Sequence, residues 1–347
     1  MRATLISVAL CFMTTSTPAC AEPPIRLVIH GGAGTLERAK LSPEREGEYT
    51  AALAASLAAG HAVLARGGSS VDAVIAAITV MEDSPLFNAG RGAVLNHEGR
   101  NEHDASIMDG ATRGAGAVAA VGVIRNPIRA AEAVMRRGPH VMLTGAGAEE
   151  FAREQGLAIV DPSWFRTEER WRQLQKAIAG EHIVRDHDAE PASAYRNDDK
   201  RGTVGAVALD RHGNLAAGTS TGGLTNKRYG RIGDSPIIGA GTWADNRSVA
   251  VSATGTGEMF IRTAAAHSVA DLARLAGKTP ADAADATLIE VAAIGGDGGL
   301  IVLDARGDYA MRFNTSGMYR GTVGDDGVAR VGIYGGPERR VSLPAAP

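Results

Sequence analysis

Apolar and polar positions follow two rhythms along this chain. Segments 25–34, 103–109, 116–124, 203–210, 215–221, 248–253, 299–304 and 309–313 are short runs of Val, Ile, Leu, Ala and Gly bounded by turn residues, the pattern of buried strands. Runs at 93–96 and 236–241 read the same way. Longer stretches with helical spacing separate them, at 42–66, 69–82, 127–137, 145–155, 164–179, 258–276 and 280–293. Ser42-Pro43 and Thr279-Pro280 place a proline in the first helical turn, and Ser69 has Asp72 three residues on as a capping partner. "VALDRHGNLAAG" and "LIVLDARGDYAM" each join two apolar runs through a polar, glycine-containing turn, so they predict hairpins. Antiparallel pairs with helices grouped before and after them predict a layered α/β fold, in which helices cover antiparallel sheets. They do not predict a doubly wound parallel sheet.

One segment breaks both rhythms. Residues 180–201, "GEHIVRDHDAEPASAYRNDDKR", are polar and charged and bury too little to order themselves. They end at Gly202-Thr203. The start of the chain differs in another way: "MRATLISVALCFMTTSTPACA" has Arg2, an apolar stretch and Ala19-Cys20-Ala21, which reads as a secretory signal over 1–21 and predicts a periplasmic protein. Lipid attachment at Cys20 ranks second. Both cysteines of the chain lie in this segment, so the mature protein needs no disulfide and has no thiol nucleophile.

Composition narrows the chemistry. The 347 residues are 44% hydrophobic and 22% charged with a net charge of -3, as expected of one large globular domain and not of a nucleic-acid partner. The 44 glycines cluster at the ends of apolar runs, where tight turns and close backbone approaches surround a site. No phosphate-binding G-x-x-x-x-G-K-[ST] loop, H-E-x-x-H zinc pair or G-x-S-x-G elbow is present. Threonine remains. A threonine hydroxyl becomes a usable nucleophile when the chain is cut before it, because its own α-amine, with a pKa of roughly 7.7–8.0, then serves as the base. Gly202, sterically bare, precedes Thr203 and would tolerate attack by that hydroxyl on its carbonyl. On these two residues alone, an ordinary strand opener after a turn glycine fits better.

The surroundings are more specific. "HGGAGT", "DSPLFNAGRGAVLN", "HDASIMDG", "GTVGAVALD", "GTSTGGLTNKRYGRIGDSPIIGAGTWAD", "ATGTGE" and "GGDGGLIVLD" occur in this order, and together they make the chain resemble the plant-type L-asparaginase / isoaspartyl peptidase family of N-terminal-nucleophile (Ntn) hydrolases. The resemblance implies an αββα sandwich and a precursor that cleaves itself between Gly202 and Thr203. The products would be an α subunit, 22–202, and a β subunit, 203–347, that form one domain. It implies Thr203 as nucleophile, Thr221 as the threonine that orients it, and Asn88 as a supporting residue. Arg231 and Asp234 would grip the α-carboxylate and α-amino group of the substrate, and Thr254 and Gly255 would serve the oxyanion and position the substrate. A sodium ion on backbone carbonyls of Met81, Glu82, Ser84, Phe87, Ala89 and Arg91 is also implied, with no cofactor required, and so is a dimer of αβ units. Trp243 and Arg91 depart from the family's pattern, at positions that bear on substrate preference.

The expected activity is hydrolysis of β-aspartyl dipeptides and of the side-chain amide of L-asparagine. A glycosylasparaginase shares the nucleophile chemistry but usually reads His-Asp-Thr-Ile-Gly where this chain reads Arg-Gly-Thr-Val-Gly. A periplasmic amino-acid-binding protein that uses Arg231 and Asp234 without turnover is the alternative of another class.

Overall fold

The computed structural model describes residues 23–34, 36, 38–186 and 202–344. The leader expected at 1–21 and the part of the polar segment at 187–201 lie outside them. The chain opens with β1 (Arg26–Gly34), α1 (Pro43–Ala65), α2 (Ser70–Asp83), β2 (His103–Asp109), β3 (Ala115–Val121), α3 (Pro127–Arg137), β4 (Met142–Thr144), α4 (Gly145–Glu154) and α5 (Glu168–Asp186). After the undescribed gap come β5 (Val204–Leu209), β6 (Leu215–Thr221), β7 (Thr242–Ala244), β8 (Val249–Gly255), α6 (Gly257–Arg262), α7 (Ala265–Ala276) and α8 (Pro280–Ala293). β9 (Gly298–Asp304), β10 (Tyr309–Phe313), β11 (Gly317–Gly324), β12 (Ala329–Tyr334) and β13 (Arg339–Val341) complete it.

Among the described residues thirteen strands make two sheets, nine in the order β13-β12-β11-β1-β5-β6-β2-β3-β4 and four in the order β10-β9-β8-β7. All neighbours are antiparallel except β3 and β4. The strands are apolar throughout because both faces are covered, and the two-residue repeat sorts their side chains. In β1, Leu27 and Ile29 join the core under α1 to α4, whereas Val28 joins a second core between the sheets. In β5, Ala206 and Ala208 face the helices while Val207 and Leu209 face the other sheet. A third core, with Val251, Phe260, Val269 and Leu300, lies between the smaller sheet and α6 to α8. The layers are therefore helix, sheet, sheet, helix, as expected of the αββα sandwich.

The structure departs from the sequence reading in several elements. Residues 93–96 contribute only an isolated bridge between Leu95 and Asn101, and 236–241 are turn and bend with an isolated bridge from Ile238 to Thr242, where the strand begins. The helix expected over 258–276 is two helices, broken at Ala264, which takes a left-handed φ of 45°. The helix expected over 164–179 begins at Glu168 and runs to Asp186, into the polar segment. β11, β12 and β13 were not anticipated.

Candidate active site

The two-residue repeat has a consequence at one end of the sheet pair. Thr203 and Gly205 continue the Val207 face of β5, Thr219 and Thr221 the Ala217 face of β6, and Ser252 and Thr254 the Ala250 face of β8. There the layer between the sheets changes from apolar side chains to hydroxyls. Ser220, on the opposite face, instead donates to Glu82 Oε1 at 2.7 Å.

Thr203 is buried at the start of β5, and its Oγ1 donates to Thr221 Oγ1 at 3.1 Å. The same Thr221 oxygen accepts the Gly223 N–H at 3.1 Å. Asn88 secures this loop from outside, donating to the Gly223 carbonyl at 2.8 Å and accepting from Val94 N–H at 2.9 Å. On the upstream side, Gly202 has φ +57°, and a Cβ there would lie 2.3 Å from Gly32 Cα and 2.7 Å from the Gly31 carbonyl oxygen. Conformation and space both demand glycine before the threonine. Thr254, in β8, accepts the Ala33 N–H at 3.4 Å, on the residue after this contact. A Cβ on Gly255 would fall 2.3 Å from the Asp297 carbonyl oxygen, so its backbone runs against a neighbouring turn.

Arg231 and Asp234 lie along the loop that follows. Arg231 makes two hydrogen bonds to Glu258, Nε to Oε1 at 2.8 Å and Nη2 to Oε2 at 2.9 Å. Gly233 and Gly257 leave the guanidinium room, because a Cβ on either would lie within 2.9 Å of it. Asp234 is 4% exposed, and its Oδ2 accepts no hydrogen bond among the described residues. Burial pushes its carboxyl up to about 7, against the opposing pull of Arg231. A Cβ on Gly223 would sit 3.6 Å from Arg231 Nη1, so the loop held by Thr221 and Asn88 also borders the Arg231 guanidinium. Beneath it, Lys227 Nζ donates to the Glu102 carbonyl at 2.9 Å, and burial lowers its pKa against the pull of Asp104 and Glu102.

Of the positions expected to bind sodium, Met81 and Glu82 lie in the last turn of α2, and Ser84, Phe87, Ala89 and Arg91 lie in the segment after it. A Cβ on Gly90 would lie 2.3 Å from the Glu82 carbonyl oxygen, and one on Gly92 would lie 2.1 Å from that of Phe87 and 2.7 Å from that of Pro85. Both glycines thus let the turn close against these carbonyls, of which those of Glu82 and Phe87 belong to the expected set. Among the described residues no cluster of His, Cys, Asp and Glu has the makings of a metal site.

Residues 23–333 match the protein family described as asparaginase. The chain belongs to the asparaginase family. It is 50% identical over 311 residues to the isoaspartyl peptidase of Salmonella typhimurium, across 89% of this chain and 98% of that one. With the isoaspartyl peptidase of Escherichia coli it shares 49% over 311 residues, 89% of this chain and 95% of the relative. With the isoaspartyl peptidase/L-asparaginase of Mus musculus it shares 42% over 319 residues, 86% and 92%. The layered α/β architecture accords with the Ntn-hydrolase fold of this family.

Within this asparaginase-family chain, sequence reasoning overlooked Glu258, Lys227, Asp104 and His30. All four stand inside motifs that carried the resemblance. Their place in those motifs was the available signal, and only the fold shows which of these side chains converge.

Proposed function

We propose that the chain is the precursor of a threonine Ntn hydrolase that cleaves β-aspartyl dipeptides and the side-chain amide of L-asparagine. The observation that carries this reading is the Thr203 hydroxyl, 3.1 Å from Thr221 Oγ1, directly after a glycine held at φ +57°. In maturation, Thr203 Oγ attacks the Gly202 carbonyl, the C–N bond breaks and an ester forms. Water hydrolyses the ester, leaving a carboxylate on Gly202 and a free amine on Thr203. That amine takes the Thr203 hydroxyl proton as the oxygen attacks the substrate's side-chain carbonyl. It returns the proton to the departing nitrogen, and ammonia or an amino acid leaves. A water molecule attacks the remaining β-aspartyl ester and gives its proton to the amine, which passes it to Thr203 Oγ as the ester C–O bond breaks and aspartate leaves.

Arg231 receives the substrate's α-carboxylate and Asp234 its ammonium, so recognition is of a free aspartyl α-end by complementary charge. The unpartnered Asp234 oxygen supports that assignment. Thr254 and the Gly255 backbone serve the developing oxyanion, and Asn88 keeps Thr221 and Gly223 in place. A sodium ion on the carbonyls of the loop from Met81 to Arg91 would brace that loop and so Asn88. The 50% and 49% identical relatives named isoaspartyl peptidase favour β-aspartyl dipeptides among the substrates. Export through a leader at 1–21 to the periplasm and pairing of two αβ units complete the reading.

The test uses the purified chain and a Thr203→Ala variant. The parent should give two fragments on a denaturing gel, the smaller beginning Thr-Val-Gly-Ala. The variant should stay whole and lose hydrolysis on the order of a thousandfold or more. Assays on L-asparagine, an isoaspartyl dipeptide and glycosylated asparagine, side by side, rank the substrates. A single parental band, or turnover of glycosylated asparagine alone, overturns the reading.

A further inference from the structure

A row of residues crosses the large sheet at right angles to its strands. His30 in β1 pairs with Gly205 in β5, Gly205 with Thr219 in β6, and Thr219 with Ser106 in β2, all on the face toward the smaller sheet. From that sheet, Thr242 and Ser252, themselves cross-strand partners, fill the row. Ser252 occupies the side-chain space that Gly205 leaves: a Cβ there would lie 2.0 Å from Ser252 Oγ and 2.3 Å from His30 Nε2. The contacts are continuous. Ser106 Oγ is 2.8 Å from Thr242 Oγ1, Thr242 Oγ1 is 2.6 Å from Thr219 Oγ1, and Thr219 Oγ1 is 2.7 Å from Ser252 Oγ. Ser252 Oγ is 2.9 Å from His30 Nε2, and His30 Nδ1 is 3.1 Å from the Thr203 carbonyl oxygen. At the far end Ser106 Oγ also lies 2.6 Å from the carbonyl of Ser235, the neighbour of Asp234.

The proton inventory fixes the direction of this chain. A carbonyl only accepts, so the Thr203 oxygen needs the proton on His30 Nδ1. Burial drives the His30 pKa down to about 3 against that hydrogen bond, so the ring is neutral and Nε2 is an acceptor. Ser252 must then donate to His30, which leaves its oxygen to accept from Thr219, and Thr219 in turn accepts from Thr242. Each hydroxyl has one proton, and Thr219 and Ser106 share theirs with the carbonyls of Gly241 at 3.0 Å and Ser235 at 2.6 Å, but no other direction links the run from Thr242 through Thr219, Ser252 and His30 to Thr203 without a gap.

We propose that this seam is a one-way hydrogen-bond chain that locks His30 in one tautomer and through it orients the Thr203 carbonyl. Ser252, Thr219 and Thr242 are thereby positioning residues for the nucleophile. The inference rests on Thr203 being that nucleophile. Once the chain is cut, nothing upstream holds the Thr203 nitrogen. Its direction depends on rotation about the Cα–C bond, which the carbonyl clamp fixes, while Thr221 fixes the hydroxyl on the same Cα. The free amine is left one place to point. Aligned hydrogen bonds polarise one another, so loss of a middle link weakens the clamp at the end.

The experiment compares Thr219→Val, near in shape but without the hydroxyl, with Thr219→Ser, which keeps it. Rates are counted per free Thr203 terminus from N-terminal sequencing, at a temperature where each variant is folded. For an isoaspartyl dipeptide, Thr219→Val should lower kcat roughly tenfold to a hundredfold, the scale of a misplaced reacting group. KM should stay within about twofold of the parent, because no seam hydroxyl touches substrate, and Thr219→Ser should restore kcat to within about threefold. An unchanged kcat in Thr219→Val, a matching rise in KM, or failure of Thr219→Ser to rescue overturns the inference. Should Thr219→Val fail to fold, Ser252→Ala is read by the same kcat and KM criteria, and failure of both to fold overturns it in favour of a purely structural seam. A parent chain that neither breaks before Thr203 nor hydrolyses substrate defeats the functional reading itself. An active parent with indifferent seam variants defeats only this inference.

Discussion

Asp234 shows how burial sets chemistry at a single side chain. Its carboxyl faces Arg231, which favours the charged form, and Glu258 and Asp104, which oppose it, but burial dominates and raises the pKa from 3.8 to about 7. On the proposed function, Asp234 must ionise in the free enzyme before it can receive an ammonium. The Thr203 amine, near 8, must also lose its proton. Log kcat/KM should therefore climb with a slope of about two below pH 7, and with a slope of about one in Asp234→Asn. That variant should also lose roughly thirtyfold to a hundredfold in kcat/KM above pH 8, where the parent makes a charge-assisted contact. Retention of the steeper slope in Asp234→Asn would show that Asp234 is not the group titrating. The sign for stability runs the other way. The folded pKa is the higher one, so the folded chain keeps a proton that the unfolded chain has lost, and stability drains as pH rises from about 4 to 7. Sequence alone offered Arg231 and Asp234 as a pair. That the guanidinium is engaged by Glu258, leaving Asp234 with an unpartnered oxygen, depends on how α6 approaches the loop.

Glycines in one helix carry opposite predictions. In α1, Gly47 has no atom within 4 Å of where a Cβ would sit, whereas a Cβ on Gly60 would meet Leu27 Cδ2 at 2.6 Å and the Ala73 carbonyl at 2.9 Å, on β1 and α2. Alanine is favoured over glycine in a helix by about 1 kcal/mol. Gly47→Ala should therefore stabilise by roughly 0.5–1 kcal/mol. At Gly60 the same gain meets overpacking that costs about 1–3 kcal/mol, and the Ala73 backbone has little freedom to retreat, so Gly60→Ala should destabilise. Urea midpoints with unchanged slopes would measure both, and equal signs would refute the packing argument. Caps made such helices readable: Ser42, Ser69 and Thr279 accept from Arg45, Asp72 and Asp282 N–H as their patterns implied. The break at Ala264 has no glycine or proline to announce it. β11 hid for another reason: Arg320 lies in its middle, buried at 2%, bonded to Glu338 and to the carbonyls of Met318, Tyr334 and Gly336. A charge interrupts the apolar pattern, and all its partners but Met318 come from the turn and strand beyond, so no local window contains the carboxylate that offsets it.

The order of the large sheet decides what a cut before Thr203 does to the molecule. Strands from the two sides of that bond alternate in blocks: β13-β12-β11 from the C-terminal side, β1 from the N-terminal side, β5-β6, then β2-β3-β4. Every route that separates the two products must break β11 from β1, β1 from β5 and β6 from β2. The core between the sheets is also shared, with Val28 and Met108 from one product packed among Val207, Leu215, Ile301 and Leu303 from the other. The smaller sheet falls wholly in the second product, but the large sheet and the core between the sheets are complete in neither, so the cleaved protein should behave as one cooperative body although it is two chains. The tryptophans permit a check, since Trp164 and Trp171 precede the bond and Trp243 follows it. In a Trp243→Phe variant fluorescence reports only the N-terminal product, and in a Trp164→Phe, Trp171→Phe variant only the C-terminal one. Guanidinium unfolding of the processed protein should give coincident midpoints for the two variants once each is referred to its own circular-dichroism transition. The products should also co-elute on gel filtration without denaturant and should not fold when made separately. Two separated transitions within one variant would mean that the interleaved strands do not bind the halves together, and the sheet order would then need another explanation.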